Sequence, residues 1–245
     1  MSAPTSLARR LESLAEACAG GGAGPAIALC AVRDRESALL CRGRVDEHTR
    51  FELGSVTKTF TALLLAEMAA RGDVRYHDPI STYLPAGALP RGAYGARITL
   101  HDLATHTSGL PRVPLDLLLT AVSRWWTNPY ATYSPERMLR STARARIRRG
   151  PTTRPHYSNL GAGLLGHILG IAAGTGYPKA LTTRVLEPLG LAHTTLDPDQ
   201  PQATGHRHGR PRPAWRDPGL AAAGALRSTA SDLLRYLQAH LTPDD

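Results

Sequence analysis

The chain of 245 residues is poor in three features that would each indicate a particular class of protein. Its three cysteines, Cys18, Cys30 and Cys41, are odd in number and lack Cys-x-x-Cys spacing, so we expect no disulfide framework; Cys30 and Cys41 are predicted to be small buried residues. Aromatic residues make up only 5% of the chain, which leaves few rings to stack on nucleic-acid bases. No run approaches the roughly 18 apolar residues of a membrane-spanning helix, so no membrane span is expected.

Lysine is also scarce. The formal net charge is +9, yet only Lys58 and Lys179 are lysines and the other basic residues are arginines. One arginine cluster could bind nucleic acid or steer an anionic substrate. Its members are Arg137, Arg140, Arg144, Arg146, Arg148 and Arg149. No nucleic-acid-binding motif accompanies the cluster, so we interpret it as a solvated face and predict no nucleic-acid partner.

What remains is the composition of a globular protein, 42% hydrophobic and 20% charged. Arg9, Arg10, Glu12 and Glu16 interrupt the N-terminal stretch where a secretory signal needs apolar residues, so a cytoplasmic location is predicted. The His206-x-His208 pair has no cysteine or carboxylate in register, so no metal site is predicted. Nothing in the sequence indicates a cofactor.

Hydrophobic periodicity predicts a chain built mainly of helices. The predicted helices cover residues 4–18, 55–71, 100–105, 159–173, 178–186 and 228–241, with one more beginning at Ser134. Two strand-like runs, 26–32 and 38–42, predict a hairpin. A lone two-stranded ribbon is marginal and leaves both edges open, and residues 116–245 do not obviously supply more strands. We therefore predict a mixed α/β chain with an incomplete antiparallel sheet.

Ser55 and Lys58 form the first candidate catalytic pair. Residues three apart share a face of a helix, so the hydroxyl and the amine can meet. A neutral amine beside a hydroxyl is one way to generate a serine nucleophile. The backbone N–H of Ser55, at the start of the helix, can also face a developing oxyanion. Taken alone, the pair is also compatible with a capping serine followed by a solvated lysine.

Tyr157 and Asn159 form the second candidate group. A tyrosine just before a buried helix can lie near Lys58, whose charge would favour the phenolate and make it a general base. Asn159 can both donate and accept, which suits a residue that holds a lysine and a substrate amide together. The alternative is structural: Asn159 caps the helix and Tyr157 packs against its start.

Together the two motifs resemble one family. Five segments are similar, in order, to those of the class C β-lactamase and D-Ala-D-Ala carboxypeptidase family, which includes esterase-like members. The nucleophile segment is FELGSVTKTFT, and LATHTSGLP, HYSNLG, EPLGL and AGALRSTASDL follow it. The Ser-x-x-Lys motif is itself typical of serine β-lactamases and penicillin-binding proteins. The resemblance runs from about residue 5 to residue 241.

The resemblance implies a fold and a chemistry. The fold would be that of serine β-lactamases and penicillin-binding proteins, with residues 1–245 as a single domain and a helical subdomain that holds Ser55 and Tyr157. A β-lactam, D-Ala-D-Ala peptide or ester would acylate Ser55. Lys58 and Tyr157 would share the base and acid work, and Asn159 would orient both the lysine and the substrate. Water would then release the acyl group.

One family feature does not follow Tyr157. The third motif, Lys-Thr-Gly or His-x-Gly on a later strand, is absent, and His106-Thr107-Ser108-Gly109 matches a different family segment. The chain is therefore expected to be C-terminally truncated, without a second oxyanion N–H and without a cation near Tyr157. One oxyanion donor is worth about 100- to 1,000-fold in rate. The predicted function is a serine hydrolase, and the alternatives are an impaired fragment that binds acyl substrates or a partner chain and a basic nucleic-acid-associated domain.

Overall fold

The computed structural model describes residues 6–20, 26–117, 128–147, 150 and 154–241. The helices are α1 (Ser6–Gly20), α2 (Thr57–Ala70), α3 (Leu100–Ala104), α4 (Pro135–Arg144), α5 (Asn159–Ala172), α6 (Tyr177–Leu181), α7 (Ala221–Gly224) and α8 (Ala230–Leu241). The strands are β1 (Ile27–Arg33), β2 (Glu36–Arg42), β3 (Phe51–Glu52), β4 (His206–Arg207), β5 (Arg210–Pro211) and β6 (Arg227–Ser228). A mixed α/β chain with small antiparallel sheets confirms the predicted fold class.

The chain divides into two compact units. One contains Met1–Glu52, Leu186–Ala214 and Arg227–Asp245, and the other contains Leu53–Val185 and Trp215–Leu226. We call them the sheet unit and the helical unit. That residues 1–245 form a single domain stays a prediction.

The sheet unit is built on the predicted hairpin. β1 and β2 pair antiparallel with Leu29 opposite Leu40, and Asp34 takes a positive φ of 55° in the turn. Helices α1 and α8 pack on the two strands, and α1 buries Leu7 and Leu11. Among the described residues, neither edge of the hairpin pairs with a further strand.

Cys30 and Cys41 lie on these strands and are only half-buried. The prediction of two buried cysteines is therefore wrong. The reason lies in the sheet, whose residues have intermediate exposure along almost the whole length of both strands.

The helical unit is organised around α5, ten of whose 14 residues are buried. A Cβ added at Gly166 would stand 2.2 Å from the Cβ of Ala222, and one at Gly163 would stand 2.5 Å from Cδ2 of Leu220. These glycines therefore let the segment that leads into α7 lie directly on α5. Helix α2 packs on both α5 and α7, so the start of α2 meets the backbone of α7.

Membrane-spanning potential is limited in the described residues. No single helix there is long and apolar enough to cross a bilayer, although Asn159–Ala172 and Tyr177–Leu186 reach that length and apolarity together across a bend of 81°.

Candidate active site

Ser55 and Lys58 meet at the start of α2, as their spacing predicts. Ser55 lies in a single 3-10 turn, Gly54–Val56, so the α-helix begins two residues after it. The Lys58 Nζ donates to Ser55 Oγ at 3.2 Å and to the carbonyl oxygen of Ala223 at 2.6 Å. Ser55 is exposed and Lys58 is half-buried. The Ser55 hydroxyl is therefore accessible to a reactant, and the half-buried Lys58 amine is hydrogen-bonded to it.

Two further hydrogen bonds fix this turn. The Leu53 N–H donates to the carbonyl oxygen of Leu226 at 2.9 Å, and the Leu226 N–H donates to Thr57 Oγ1 at 3.1 Å. The side chain of Thr57 is fully buried. The backbone on both sides of Ser55 is therefore tied to the segment that carries the Lys58 acceptor.

Tyr157 reaches the same hydroxyl from a stretch 102 residues further along the chain. Its hydroxyl and Ser55 Oγ are hydrogen-bonded at 2.6 Å. The Lys58 Nζ lies 4.7 Å from the centroid of the Tyr157 ring, within range of a cation–π interaction. The structure thus brings a hydroxyl, an amine and a phenol into mutual contact.

The backbone around Tyr157 is anchored by its neighbour Ser158. Ser158 is fully buried and caps α5: its Oγ accepts from the Gly161 N–H at 2.8 Å and donates to the carbonyl oxygen of Pro111 at 2.7 Å. The structural alternative, in which Asn159 caps this helix, placed the cap one residue too late. Asn159 is instead the first residue of the helix.

His106 contacts the ring of Tyr157 and hydrogen-bonds the residues before and after it. Its ring lies 4.6 Å from the Tyr157 ring, centroid to centroid. Its carbonyl oxygen accepts from the His156 N–H at 2.7 Å, and its Nδ1 accepts from the Ser158 N–H at 3.3 Å. His106 has a positive φ of 62°, a conformation that is uncommon outside glycine. Burial and the charge of Lys58 lower the pKa of His106, which favours the neutral ring that this acceptor role requires.

Electrostatics at the site favour ionisation of the phenol. Burial acts to raise the pKa of Tyr157, but hydrogen bonds with Lys58 and Ser55, together with the charges of Lys58 and Arg112, outweigh it. The pKa of Tyr157 is therefore lowered, which makes the phenol a better candidate for a general base. Arg112 contributes through a guanidinium carbon 5.4 Å from the ring centroid.

Asn159 lies beside the cluster with a different partner. Its backbone N–H donates to the carbonyl oxygen of Arg112 at 2.8 Å, and its side chain hydrogen-bonds the Tyr130 hydroxyl. Its Oδ1 is buried and has no hydrogen-bond partner among the described residues. No hydrogen bond to Lys58 appears in the described part of the chain, so the pairing of Asn159 with the lysine stays a prediction.

Sequence reasoning missed four residues near this cluster. They are His106, Arg112, Tyr130 and Asp217. Burial raises the pKa of Asp217 to about 7, although a hydrogen bond from the Leu220 N–H and the charge of Lys58 oppose the shift. The local sequence pattern does not indicate that Tyr130 or Asp217 belongs near the site, because both approach it only through tertiary packing. His106 and Arg112, in contrast, stand in or next to the LATHTSGLP segment, where the family likeness pointed to structure only.

The remaining site predictions concern metals and charge. Among the described residues, no three His, Cys, Asp or Glu side chains come together as metal ligands, and the absence of a metal stays a prediction. His206 and His208 are exposed. In the arginine cluster, Arg148 and Arg149 lie outside the described residues, while Arg140 is exposed and Arg137 pairs with Asp116 at 3.4 Å.

Comparison with known proteins gives one family match and several relatives. Residues 11–245 match the family described as Beta-lactamase. The chain is 31% identical over 195 residues to the D-alanyl-D-alanine-carboxypeptidase/endopeptidase AmpH of Escherichia coli K12, which covers 78% of this chain and 49% of that protein. It is 33% identical over 207 residues to a beta-lactamase of the same organism, covering 82% and 50%, and 31% identical over 204 residues to a beta-lactamase of Pseudomonas fluorescens, covering 81% and 52%. The chain thus spans about half the length of these curated relatives.

Proposed function

Because the chain belongs to the beta-lactamase family, we propose that it is a serine hydrolase that acts through an acyl-enzyme on Ser55. The observation that carries the proposal is the contact among three side chains: Ser55 Oγ lies 3.2 Å from Lys58 Nζ and 2.6 Å from the Tyr157 hydroxyl. A serine hydroxyl is a weak nucleophile unless a neighbouring base removes its proton. Two candidate bases are within hydrogen-bond distance here.

In the proposed first step, Ser55 Oγ attacks the substrate carbonyl carbon and its proton passes to Tyr157 or Lys58. The lowered pKa of Tyr157 makes its phenolate accessible at a cost smaller than for an ordinary phenol. Ser55 lies in the 3-10 turn before α2, and because the first backbone N–H groups of a helical turn lack a partner within it, the Ser55 N–H is the donor we assign to the developing oxyanion. Collapse of the tetrahedral intermediate breaks the bond to the leaving group.

As that bond breaks, the leaving nitrogen or oxygen takes the proton from whichever of Tyr157 and Lys58 accepted it. In the proposed second step, water attacks the acyl-enzyme carbonyl and gives its proton to the same base. That base passes the proton to Ser55 Oγ as the acyl–oxygen bond breaks, so the acid product leaves and Ser55 is restored. The substrate class is an acyl compound: a β-lactam, a peptide or an ester. AmpH is named as a carboxypeptidase and endopeptidase and the other two relatives as beta-lactamases, which favours the first two.

A second candidate function is favoured by one observation in the sheet unit. The β1–β2 hairpin pairs with no other strand in the described residues, and an open edge of this kind can accept a strand from another chain. The alternative is therefore a protein that binds acyl compounds or a partner chain without turning substrate over.

Acylation of Ser55 distinguishes the two. We expect intact-protein mass spectrometry, after incubation with a fluorescent penicillin or an activated ester, to show one adduct on the wild-type protein. Ser55→Ala should carry none. The matched control is Ser13→Ala, at an exposed serine of α1, which should react like the wild type. A folded wild-type protein that forms no adduct with either reagent would refute the hydrolase proposal and favour the binding protein.

A further inference from the structure

A small open cavity lies beside α4, within the helical unit and apart from the residues of the proposed chemistry. Its volume is about 270 Å³. Three arginines line it: Arg91, from an earlier part of the chain, and Arg140 and Arg144 from α4. All three are exposed. None of the described residues that line the cavity is acidic or aromatic.

Small side chains make this surface concave. Ala143 lies on the same face of α4 as the two arginines, because residues three or four apart in a helix are neighbours. Opposite it lie Gly87 and Ala88, in a 3-10 turn (Ala86–Ala88) that packs on α4. A Cβ added at Gly87 would meet no atom within 4 Å, so the space between the arginines is open.

The backbone holds Arg91 beside the end of α4. The Arg91 N–H donates to the carbonyl oxygen of Ala145, and the Ile147 N–H donates to the carbonyl oxygen of Arg91, both at 2.8 Å. The next residue, Gly92, has a φ of 100°, and a Cβ there would stand 2.3 Å from the carbonyl oxygen of Ile147. Glycine therefore permits the close approach that brings Arg91 to the arginines of α4.

The three lining arginines have no ion-pair partner in the described part of the chain. Arg137 of the same helix does have one, Asp116 at 3.4 Å. The only acidic residue of α4 is Glu136, and its pKa is lowered chiefly by a hydrogen bond with Ser134, with a smaller contribution from the charge of Arg140. Since like charges repel, three guanidinium groups around one cavity favour an anion between them.

A phosphate group fits this lining better than other anionic ligands. A guanidinium binds phosphate through two parallel N–H···O bonds, and a phosphate monoester has three acceptor oxygens to share among several arginines. The bases of a single-stranded nucleic acid would find no aromatic ring in this lining to stack on. The cavity is also smaller than the roughly 300–1,000 Å³ of sites that enclose drug-sized ligands, so it suits a small anionic group.

We propose that this cavity binds the phosphate or diphosphate group of a small soluble molecule through Arg91, Arg140 and Arg144. The inference goes beyond the proposed function, because it involves neither Ser55 nor an acyl substrate. The sequence places Arg140 and Arg144 in the cluster that we interpreted as a solvated face. Both are exposed, but tertiary packing adds Arg91 and a concave floor, and local sequence indicates neither.

Binding of inorganic pyrophosphate, measured by isothermal titration calorimetry at low ionic strength, tests the site. We expect one pyrophosphate per chain and an affinity that falls as salt is added. Because a hydrogen bond to a charged group contributes about 10- to 100-fold, Arg91→Gln, Arg140→Gln and Arg144→Gln should each weaken binding by about that factor. The matched control is Arg35→Gln, at an exposed arginine between β1 and β2, which should bind like the wild type. Thermal unfolding checks that each variant is folded.

Ala143→Leu separates the cavity from its charge. It keeps every arginine and a residue that suits a helix, but its larger side chain fills the floor. We expect it to weaken binding about as much as the loss of one arginine. If Ala143→Leu bound pyrophosphate like the wild type, the affinity would come from diffuse charge and the proposal would be wrong.

Three other results would overturn the proposal. They are a wild-type protein that binds no pyrophosphate, equal losses in Arg35→Gln and the three lining variants, and tighter binding through these arginines of a single-stranded oligonucleotide or of phosphatidic acid vesicles than of pyrophosphate. Acylation of Ser55 plays no part in these measurements, so their failure would leave the proposed function unaffected.

Discussion

Two hydroxyl–phenol clusters lie near the start of α2, an outer one at Ser55 in the turn before the helix and an inner one at Thr61 within it, and they differ in charge and exposure. In the outer cluster, Lys58 donates to the carbonyl oxygen of Ala223 at 2.6 Å, and Tyr157 contacts Ser55. In the inner cluster, Thr61 Oγ1 donates to the carbonyl oxygen of the preceding residue, Ala222, at 2.9 Å. The Tyr177 hydroxyl lies 2.8 Å from Thr61 Oγ1.

The pKa values of the two phenols are shifted in opposite directions. Burial raises the pKa of Tyr177 well above its usual value; the hydrogen bond with Thr61 opposes this shift, and no charge among the described residues adds to that opposition. The charges of Lys58 and Arg112 and the hydrogen bonds to Lys58 and Ser55 instead lower the pKa of Tyr157. The lesson is that the cation and access from solvent, rather than the hydroxyl–phenol contact itself, distinguish a candidate site from a structural hydrogen bond.

Removal of Lys58 should have the largest effect on acylation, because it takes a cation away from the outer cluster and makes this cluster more like the inner one. Lys58→Ala takes away both the neighbour of Ser55 and the charge that favours the Tyr157 phenolate. General acid–base catalysis contributes about 10²- to 10⁴-fold, and we expect a loss of acylation rate at the upper end of that range. Stability should change little, because Lys58 is only half-buried. Acylation kinetics with an activated ester, together with thermal unfolding, measure both quantities.

The chain has one other lysine, which serves as the control. Lys179 is exposed in α6, and Lys179→Ala should acylate at the wild-type rate. A folded Lys58→Ala protein that acylates at full rate would contradict the role of the amine.

Asp217, which lies close enough to the outer cluster to be affected by the charge of Lys58, should make stability depend on pH. Burial raises the pKa of Asp217 from 3.8 to about 7 in the folded protein. The folded state then binds the proton more tightly than the unfolded state, so this stability is fully present below about pH 4 and is lost as the pH rises through about 7. Since one pKa unit corresponds to about 1.4 kcal/mol, Asp217→Asn should raise the free energy of unfolding at pH 8 by a few kcal/mol relative to the wild type.

Denaturant unfolding at pH 5 and pH 8 measures this effect. The variant should have a smaller difference between the two pH values than the wild type. Asp34→Asn, in the exposed hairpin turn, is the control and should keep the wild-type difference. If the free energy of unfolding changed between pH 5 and pH 8 by the same amount in the wild type, Asp217→Asn and Asp34→Asn, the assignment to Asp217 would be contradicted.

Local elements of this molecule were predictable because their causes are local. The three-or-four spacing of Phe60, Leu64 and Met68 predicted α2, and all three are fully buried. The contact between Ser55 and Lys58 follows from the same spacing. The 27–42 hairpin follows from two apolar runs around a polar turn.

The rest of the site depends on packing between distant segments. The position of Tyr157 before a buried helix left a structural alternative open, and the family likeness was needed to favour a contact with Ser55, since no local pattern fixes a contact over 102 residues. Its neighbour Arg112 reaches the ring because residues 111 and 112 are hydrogen-bonded to residues 158 and 159. Asp217 approaches Lys58 because glycines of α5 admit the segment before α7 so closely. Periodicity records none of these contacts.

Removing one hydroxyl from each phenol sharpens the comparison with the smallest effects. Tyr157→Phe leaves Lys58 beside Ser55 but removes the second proton carrier, so we expect acylation to fall about 100-fold, the lower end of the range for acid–base catalysis, with little change in stability. Tyr177→Phe should do the reverse: a buried hydrogen bond contributes about 1 kcal/mol, so the free energy of unfolding should fall by about that amount while acylation stays at the wild-type rate. Each variant is the control for the other, measured by acylation kinetics and denaturant unfolding on the same preparations. If Tyr177→Phe slowed acylation as much as Tyr157→Phe, the inner cluster would have to be counted as part of the site, and the distinction drawn from the two pKa directions would fail.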